Sequence, residues 1–122
     1  LRRLLGSGKG YKDLIGCDID FCRQWFEFQF TLKPQFNWEN YGKKWHIDHV
    51  CPCSSFDLSD AEQKRKCFHW SNLAVIDKHY NLKKGSKIIQ TDIQQQKENV
   101  TLFLKSIAHE ASDTAVSVKT EV

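Results

Sequence analysis

No stretch of this sequence stays apolar for the roughly 18 residues that a membrane-spanning helix requires, and nothing in it resembles a signal peptide, so no membrane association is expected. Methionine is absent altogether. A chain that begins at Leu1 without one reads as a piece cut from a longer product, with any targeting signal removed. The five cysteines are an odd number with no framework spacing, which argues against a secreted disulfide scaffold. Free thiols in a reducing intracellular compartment are expected, with nucleus and cytoplasm not distinguished. A phosphate-cradling loop is missing too, because "GSGKGYKD" lacks the longer Gly-rich pattern that ends in Lys and Ser or Thr before a helix.

What is present suits one modest core. Hydrophobic residues make up 40% of the 122 positions and include eight Phe and four Trp, enough for one domain and too few for two. Positive charge is unevenly placed: residues 43–87 carry nine Lys and Arg against five Asp and Glu, whereas 88–122 carry three against five. A basic middle segment is what a docked polyanion would favour, although a solvated basic face without a partner has the same composition.

Residues 1–16, with Arg2, Arg3 and four of the six glycines, read as a flexible basic leading segment. Asp18 is placed to cap a helix through "IDFCRQWFEFQF", with Phe21, Trp25 and Phe28 on one stripe and Cys22, Phe26 and Gln29 beside it. The alternation of Phe26, Phe28 and Phe30 would equally suit a strand. "KPQFNWENYGKK" is turn-rich, and its Phe36, Trp38 and Tyr41 are expected to pack under the strand that follows. In that strand, "KWHIDHV", His46 and Asp48 face one way and Trp45, Ile47 and His49 the other. Ser59 with Glu62 forms a capping-box pattern for a helix from about Asp60 to Phe68. "NLAVI" is a second strand, and Asp77 caps a third helix, "KHYNLKK", which Gly85 ends. Val100, Phe103, Leu104 and Ile107 mark an amphipathic helix over 92–110, serving as core or oligomer contact, before a disordered tail over 112–122. Two strands followed by a helix therefore bracket the polar cluster in "WHIDHVCPCSSFDL".

That cluster holds what phosphodiester hydrolysis near neutral pH requires: a base for water, a cation for the phosphate, and rigid positioning. His49 is the best base, because an imidazole is neutral yet basic at working pH. Asp48 is a hard oxygen ligand suited to Mg²⁺, and Asn81 offers a second oxygen without added charge. Mg²⁺ keeps several waters and takes one or two protein ligands, so a sparse pair suffices.

"IDHVCP", then "SNLAVI", then "YNLKKG" resemble the HNH endonuclease family, in its zinc-independent ββα-metal (His-Me finger) branch. The likeness covers residues 38–87, and "NWENYGKKWHIDH" with "CFHWSNL" is similar to homing-type members of phages and large DNA viruses. It implies an α+β fold with a ββα-metal core and flanking helices. It also implies Mg²⁺- or Mn²⁺-dependent cleavage of DNA, double-stranded in the usual case, to 5′-phosphate and 3′-hydroxyl ends. By the same likeness Asp48 and Asn81 hold the metal, His49 activates water, and Asn72 braces the loop and orients the base. The two CxxC pairs that hold structural zinc in other branches are absent, so the aromatic cluster must do that stabilising.

Further candidates surround this set. His46, on the Asp48 side of the strand, is a supporting hydrogen-bonding residue or else touches the metal or phosphate. His79, Lys83, Lys84 and Lys87 are candidate phosphate contacts, although a basic helix end is also explained by the helix dipole. Cys51, Cys53, Cys67 and His69 offer four ligands for tetrahedral Zn²⁺, but the single-residue gap between the first two is tight, and buried free thiols are the preferred reading. Two other functions compete with a nuclease: a non-catalytic zinc-stabilised nucleic-acid-binding module, and a degenerate HNH domain of a larger protein. One active site cuts one strand, so a double-strand break calls for a homodimer, additional domains or sequential nicking.

Overall fold

A short N-terminal helix, α1 (Tyr11–Ile15), opens the part of the chain that the computed structural model describes, residues 11–121, with side chains over 12–110. Residues 1–10 of the expected leading segment lie outside it. The remainder of that segment includes α1, and Ile15 at its end is buried in the core. Gly16 then turns the chain at φ 81°, and a Cβ at this position would meet the His69 ring at 2.7 Å, so both backbone and space call for glycine.

Helix α2 (Ile19–Leu32) starts where expected, with Asp18 Oδ1 accepting from the Phe21 amide at 2.8 Å. Its buried face is Cys22, Trp25, Phe26 and Gln29, at helical spacing, which settles the helix-or-strand ambiguity. Strand β1 (Trp45–His49) pairs antiparallel with β2 (Leu73–Asp77), in a register that sets His46 opposite Ile76, Asp48 opposite Ala74 and His49 opposite Leu73. Between them lies α3 (Ala61–Phe68). Its cap is Asp60, whose carboxylate accepts from the Gln63 amide, and not Ser59, whose hydroxyl bonds Asp57 instead. Helix α4 (Lys78–Lys84) follows β2 directly, with Asp77 accepting from the Tyr80 amide and Gly85 ending it at φ 55°.

The last helix, α5 (Gln90–Glu121), is longer at both ends than the periodicity indicates, and its backbone stays helical to Glu121, within the expected tail. No Pro or Gly interrupts that stretch to stop it. Phe103 is buried and Val100 and Ile107 pack against the core, but Leu104 is 46% exposed, so the apolar stripe is narrower than its sequence pattern.

Together these elements make an α+β fold in which a two-stranded sheet is wrapped by helices. The core is aromatic: Trp25, Phe26 and Trp45 are fully buried, and Trp38 and Tyr41 pack on Trp45 with ring centroids 6.0 and 4.8 Å away. A two-stranded sheet leaves unpaired backbone groups at its edges, costly where the strand is buried. Here α2 and the residue that caps its C-terminus satisfy them with a stripe at i, i+4 and i+8. Trp25 Nε1 donates to Leu73 O at 2.8 Å, Gln29 Oε1 accepts from Val75 N at 2.8 Å, and Lys33 Nζ donates to Val75 O at 2.6 Å. Gln96 of α5 adds a bond to Ser71 O at 2.7 Å. Those polar side chains fix the sheet on the helices and thereby fix where the polar face of β1 points.

Candidate functional site

Strand alternation sends His46 and Asp48 to the face of β1 covered by α4, where Asn81 and Lys84 sit three residues apart on one side of the helix. The pairs meet in order: Asn81 Nδ2 lies 3.1 Å from His46 Nδ1, and Lys84 Nζ lies 2.5 Å from Asp48 Oδ2. An amide nitrogen can only donate, so His46 Nδ1 is the acceptor. Helix α4 therefore folds back over the sheet, running in the direction of β1. Asp48 also borders a cavity of about 430 Å³ shared with Lys33, Asp77, Tyr80 and Asp92. Tyr80 OH donates to Asp92 Oδ2 at 2.6 Å, which ties α4 to α5, and that acceptor carboxylate pushes the phenol up from its ordinary value.

Lys84 does not have the role its sequence position suggests. Its side chain is 1% exposed, and its ammonium donates to Asp48, to His49 O at 3.2 Å and to Val50 O at 3.4 Å. It is an internal counter-charge, closed off from any phosphate, because three acceptors at the end of β1 hold it inside. Lys83, Lys87 and His79 are exposed, as phosphate contacts need to be.

Asn72 closes the loop after β1. Its carboxamide accepts from Cys51 N at 2.8 Å and donates to Cys51 O at 3.0 Å and Cys67 O at 2.8 Å, while its own carbonyl accepts from Val50 N at 2.9 Å. One side chain thus continues the ladder beyond the last strand pair and ties α3 to it.

His49 turns to the other face. Its ring stands edge-on to Phe68 at 5.3 Å, and Nε2 is buried with no hydrogen-bond partner. Burial pushes the imidazole below its ordinary value; the nearby Asp48 carboxylate opposes that and the Lys84 ammonium adds to it. A ring nitrogen of His49 and the sulfurs of Cys53 and Cys67 all lie within 4.8 Å of one another, and the two sulfurs are 2.6 Å apart. All five cysteines are free, and burial first, then the contact with Cys53, pushes the Cys67 thiol up to about 12.

The soft-ligand set is therefore not the Cys51, Cys53, Cys67 and His69 tetrad suggested by sequence proximity. His69 instead caps the 3₁₀ turn Trp70–Asn72, with Nδ1 2.8 Å from Ser71 Oγ and its ring tilted on Trp70. Strand parity, which sends His49 inward, was the signal that pointed to the other histidine. The larger cavity, about 670 Å³ between α3 and α5, borders Cys51, His69 and Asn72 but none of Asp48, His49 or Asn81.

No family model matches the chain, and no solved structure matches it. It is 44% identical over 101 residues to "Uncharacterized protein L246" of Acanthamoeba polyphaga mimivirus, covering 83% of this chain and 44% of that protein. A second protein of the same virus, "Uncharacterized protein L426", is 42% identical over 99 residues, covering 81% and 43%. The chain spans less than half the length of these curated relatives. No helix among the described residues is long and apolar enough to cross a membrane.

Proposed function

We propose that this chain is the catalytic core of a divalent-metal-dependent DNA endonuclease of the HNH type, built on a ββα-metal unit formed by β1, β2 and α4. The observation that carries the reading is the pairing of one face of β1 with one face of α4: His46 meets Asn81 and Asp48 meets Lys84, while Asn72 braces the loop just beyond. Three separated sequence motifs supply those residues.

The donor set fits a hard cation. Lys84 engages Asp48 Oδ2, which leaves Oδ1, and Asn81 turns Nδ2 to His46, which leaves its carboxamide oxygen. Asp48 and Asn81 are the residues that would hold Mg²⁺. The bound ion supplies positive charge to the phosphate and to the departing 3′-oxygen.

The chain's own residues do the remainder. His49 takes a proton from the attacking water, at Nδ1, since Nε2 is shut in; burial keeps the ring neutral and ready to accept. Asn72 fixes the backbone that follows His49, and Lys84 fixes the His49 and Val50 carbonyls, so the base does not drift relative to Asp48. Exposed Lys83, Lys87 and His79 on and just after α4, with Lys43 and Lys44 before β1, offer cations to the phosphates of double-stranded DNA. The products are a 5′-phosphate and a 3′-hydroxyl.

The test is nicking of supercoiled plasmid by purified protein with Mg²⁺ or Mn²⁺. EDTA stops it, and His49→Ala lowers the rate by about 10²–10⁴-fold with DNA binding retained. If His49→Ala cuts at the parental rate, the mechanism is wrong.

A further inference from the structure

We propose that His49 Nε2, Cys53 Sγ and Cys67 Sγ form a site for one thiophilic divalent ion, Zn²⁺ being the natural occupant, and that the ion, when bound, takes His49 out of service as a base. The first part stands on the donor set alone. The second rests on the nuclease reading above.

Two independent observations meet here. One is the cluster, an imidazole nitrogen and two sulfurs all within 4.8 Å, brought from the end of β1, the 3₁₀ turn Cys53–Ser55 and the last turn of α3. The other is the orphaned Nε2. A buried ring nitrogen without a partner costs stability, and native proteins rarely leave one unless something binds it. Phe68 stacks edge-on against the ring and holds it toward the sulfurs.

The donor chemistry selects the ion. Two thiolates and an imidazole suit Zn²⁺, which binds sulfur at about 2.3 Å and nitrogen at about 2.0–2.1 Å and leaves a fourth position to water. Mg²⁺ wants oxygen and gains nothing from this set. Tetrahedral bonds of that length put two sulfurs about 3.8 Å apart. Metal binding requires the present 2.6 Å contact to open to that distance, and Cys53 is only partly buried. On binding, each thiol gives its proton to solvent and its sulfur lone pair to the ion, with no redox change. The two metals then oppose one another: a hard ion at Asp48 and Asn81 supports cutting, and a soft ion a few residues away locks the base to the α3 side.

Co²⁺ titration of the full chain reads the site directly, because cobalt held by thiolates in tetrahedral geometry gives an intense near-ultraviolet band and visible ligand-field bands. Wild type is expected to bind one Co²⁺ per chain with that signature and to release it to Zn²⁺. Cys53→Ser, at a partly exposed position, is expected to weaken binding about 100-fold or more, and Cys67→Ser likewise, with circular dichroism verifying the fold. No thiolate band in folded wild type overturns the site. So does a band unchanged in Cys53→Ser, which would place the cobalt on other thiols. In the plasmid assay with Mg²⁺, stoichiometric Zn²⁺ is expected to suppress nicking by wild type and to spare Cys53→Ser. Undiminished nicking by zinc-loaded wild type overturns the inhibitory role. Metal-stripped wild type that shows the cobalt signature but never nicks with Mg²⁺ sinks the nuclease reading and, with it, the inhibitory role, while leaving the site.

Discussion

The ammonium of Lys84 sits 2.5 Å from Asp48 Oδ2, and the two side chains are only 1% and 11% exposed. A pair this enclosed adds little by itself, because desolvation offsets most of the attraction, but breaking it strands a charge. Lys84→Ala is expected to destabilise the fold by about 3–5 kcal/mol. The double variant Lys84→Met with Asp48→Asn is expected to recover more than half of that loss. A urea double-mutant cycle measures the coupling, and additive single effects would show that the pair does not interact.

Much of this arrangement was legible in the sequence. Period-2 alternation in "WHIDH" put His46 and Asp48 on one face and His49 on the other, and Asp18 and Asp77 announced their helices because a carboxylate just before a helical pattern can accept from a first-turn amide. What stayed hidden depended on tertiary partners. Lys84 looked like a surface cation, and only the approach of α4 to β1 gives its charge a buried partner; its spacing of three from Asn81 was the available hint. Similarly, His69 is next to Cys67 in sequence, yet the fold gives His49 to the thiols. Nearness along the chain favours His69, and only the strand parity of His49 points to the other ring.

Gln29 illustrates a second kind of hidden role, a polar side chain buried on an apolar stripe to complete a sheet edge. Its Oε1 is the acceptor for the Val75 amide, and Nε2 reaches Leu73 O at 3.4 Å. Gln29→Leu keeps the bulk and strands the amide, so a loss of about 1–3 kcal/mol is expected. Exposed Gln94→Leu is the control and should stay within about 0.5 kcal/mol. Faster hydrogen exchange at the Val75 amide accompanies the loss if the bond is the cause; unchanged exchange rejects this assignment.

Exposure separates the lysines by function. Lys83→Ala and Lys87→Ala, at exposed positions, are expected to leave stability within about 0.5 kcal/mol. Each should reduce the slope of log K against log salt by about 1 on duplex DNA, as the loss of one phosphate contact would. Fluorescence anisotropy over a salt series measures the slope. Unchanged slopes in both variants would move the DNA-binding face away from the end of α4.

Acid should loosen the fold through two histidines. Burial pushes both His49 and His69 below the ordinary value of about 6.5, and the charges facing His49 are Asp48, which opposes the shift, and Lys84, which adds to it. The thiols of Cys53 and Cys67 lie beside His49, and the Ser71 hydroxyl bonds His69. As pH falls through about 6.5 the unfolded chain takes up protons that the folded chain refuses, so stability is full above that value and declines below it. The decline levels off once pH passes below the depressed folded values. The melting temperature is therefore expected to fall between about pH 7.5 and about pH 5.5, with a shallower slope in His69→Gln. His69 is the better choice for the variant, since it stands outside the proposed machinery and its loss leaves the chemistry of His49 in place. A melting temperature that holds steady or rises across this interval would show that neither ring is kept neutral by the fold, and would remove the reason for His49 to serve as a base at neutral pH.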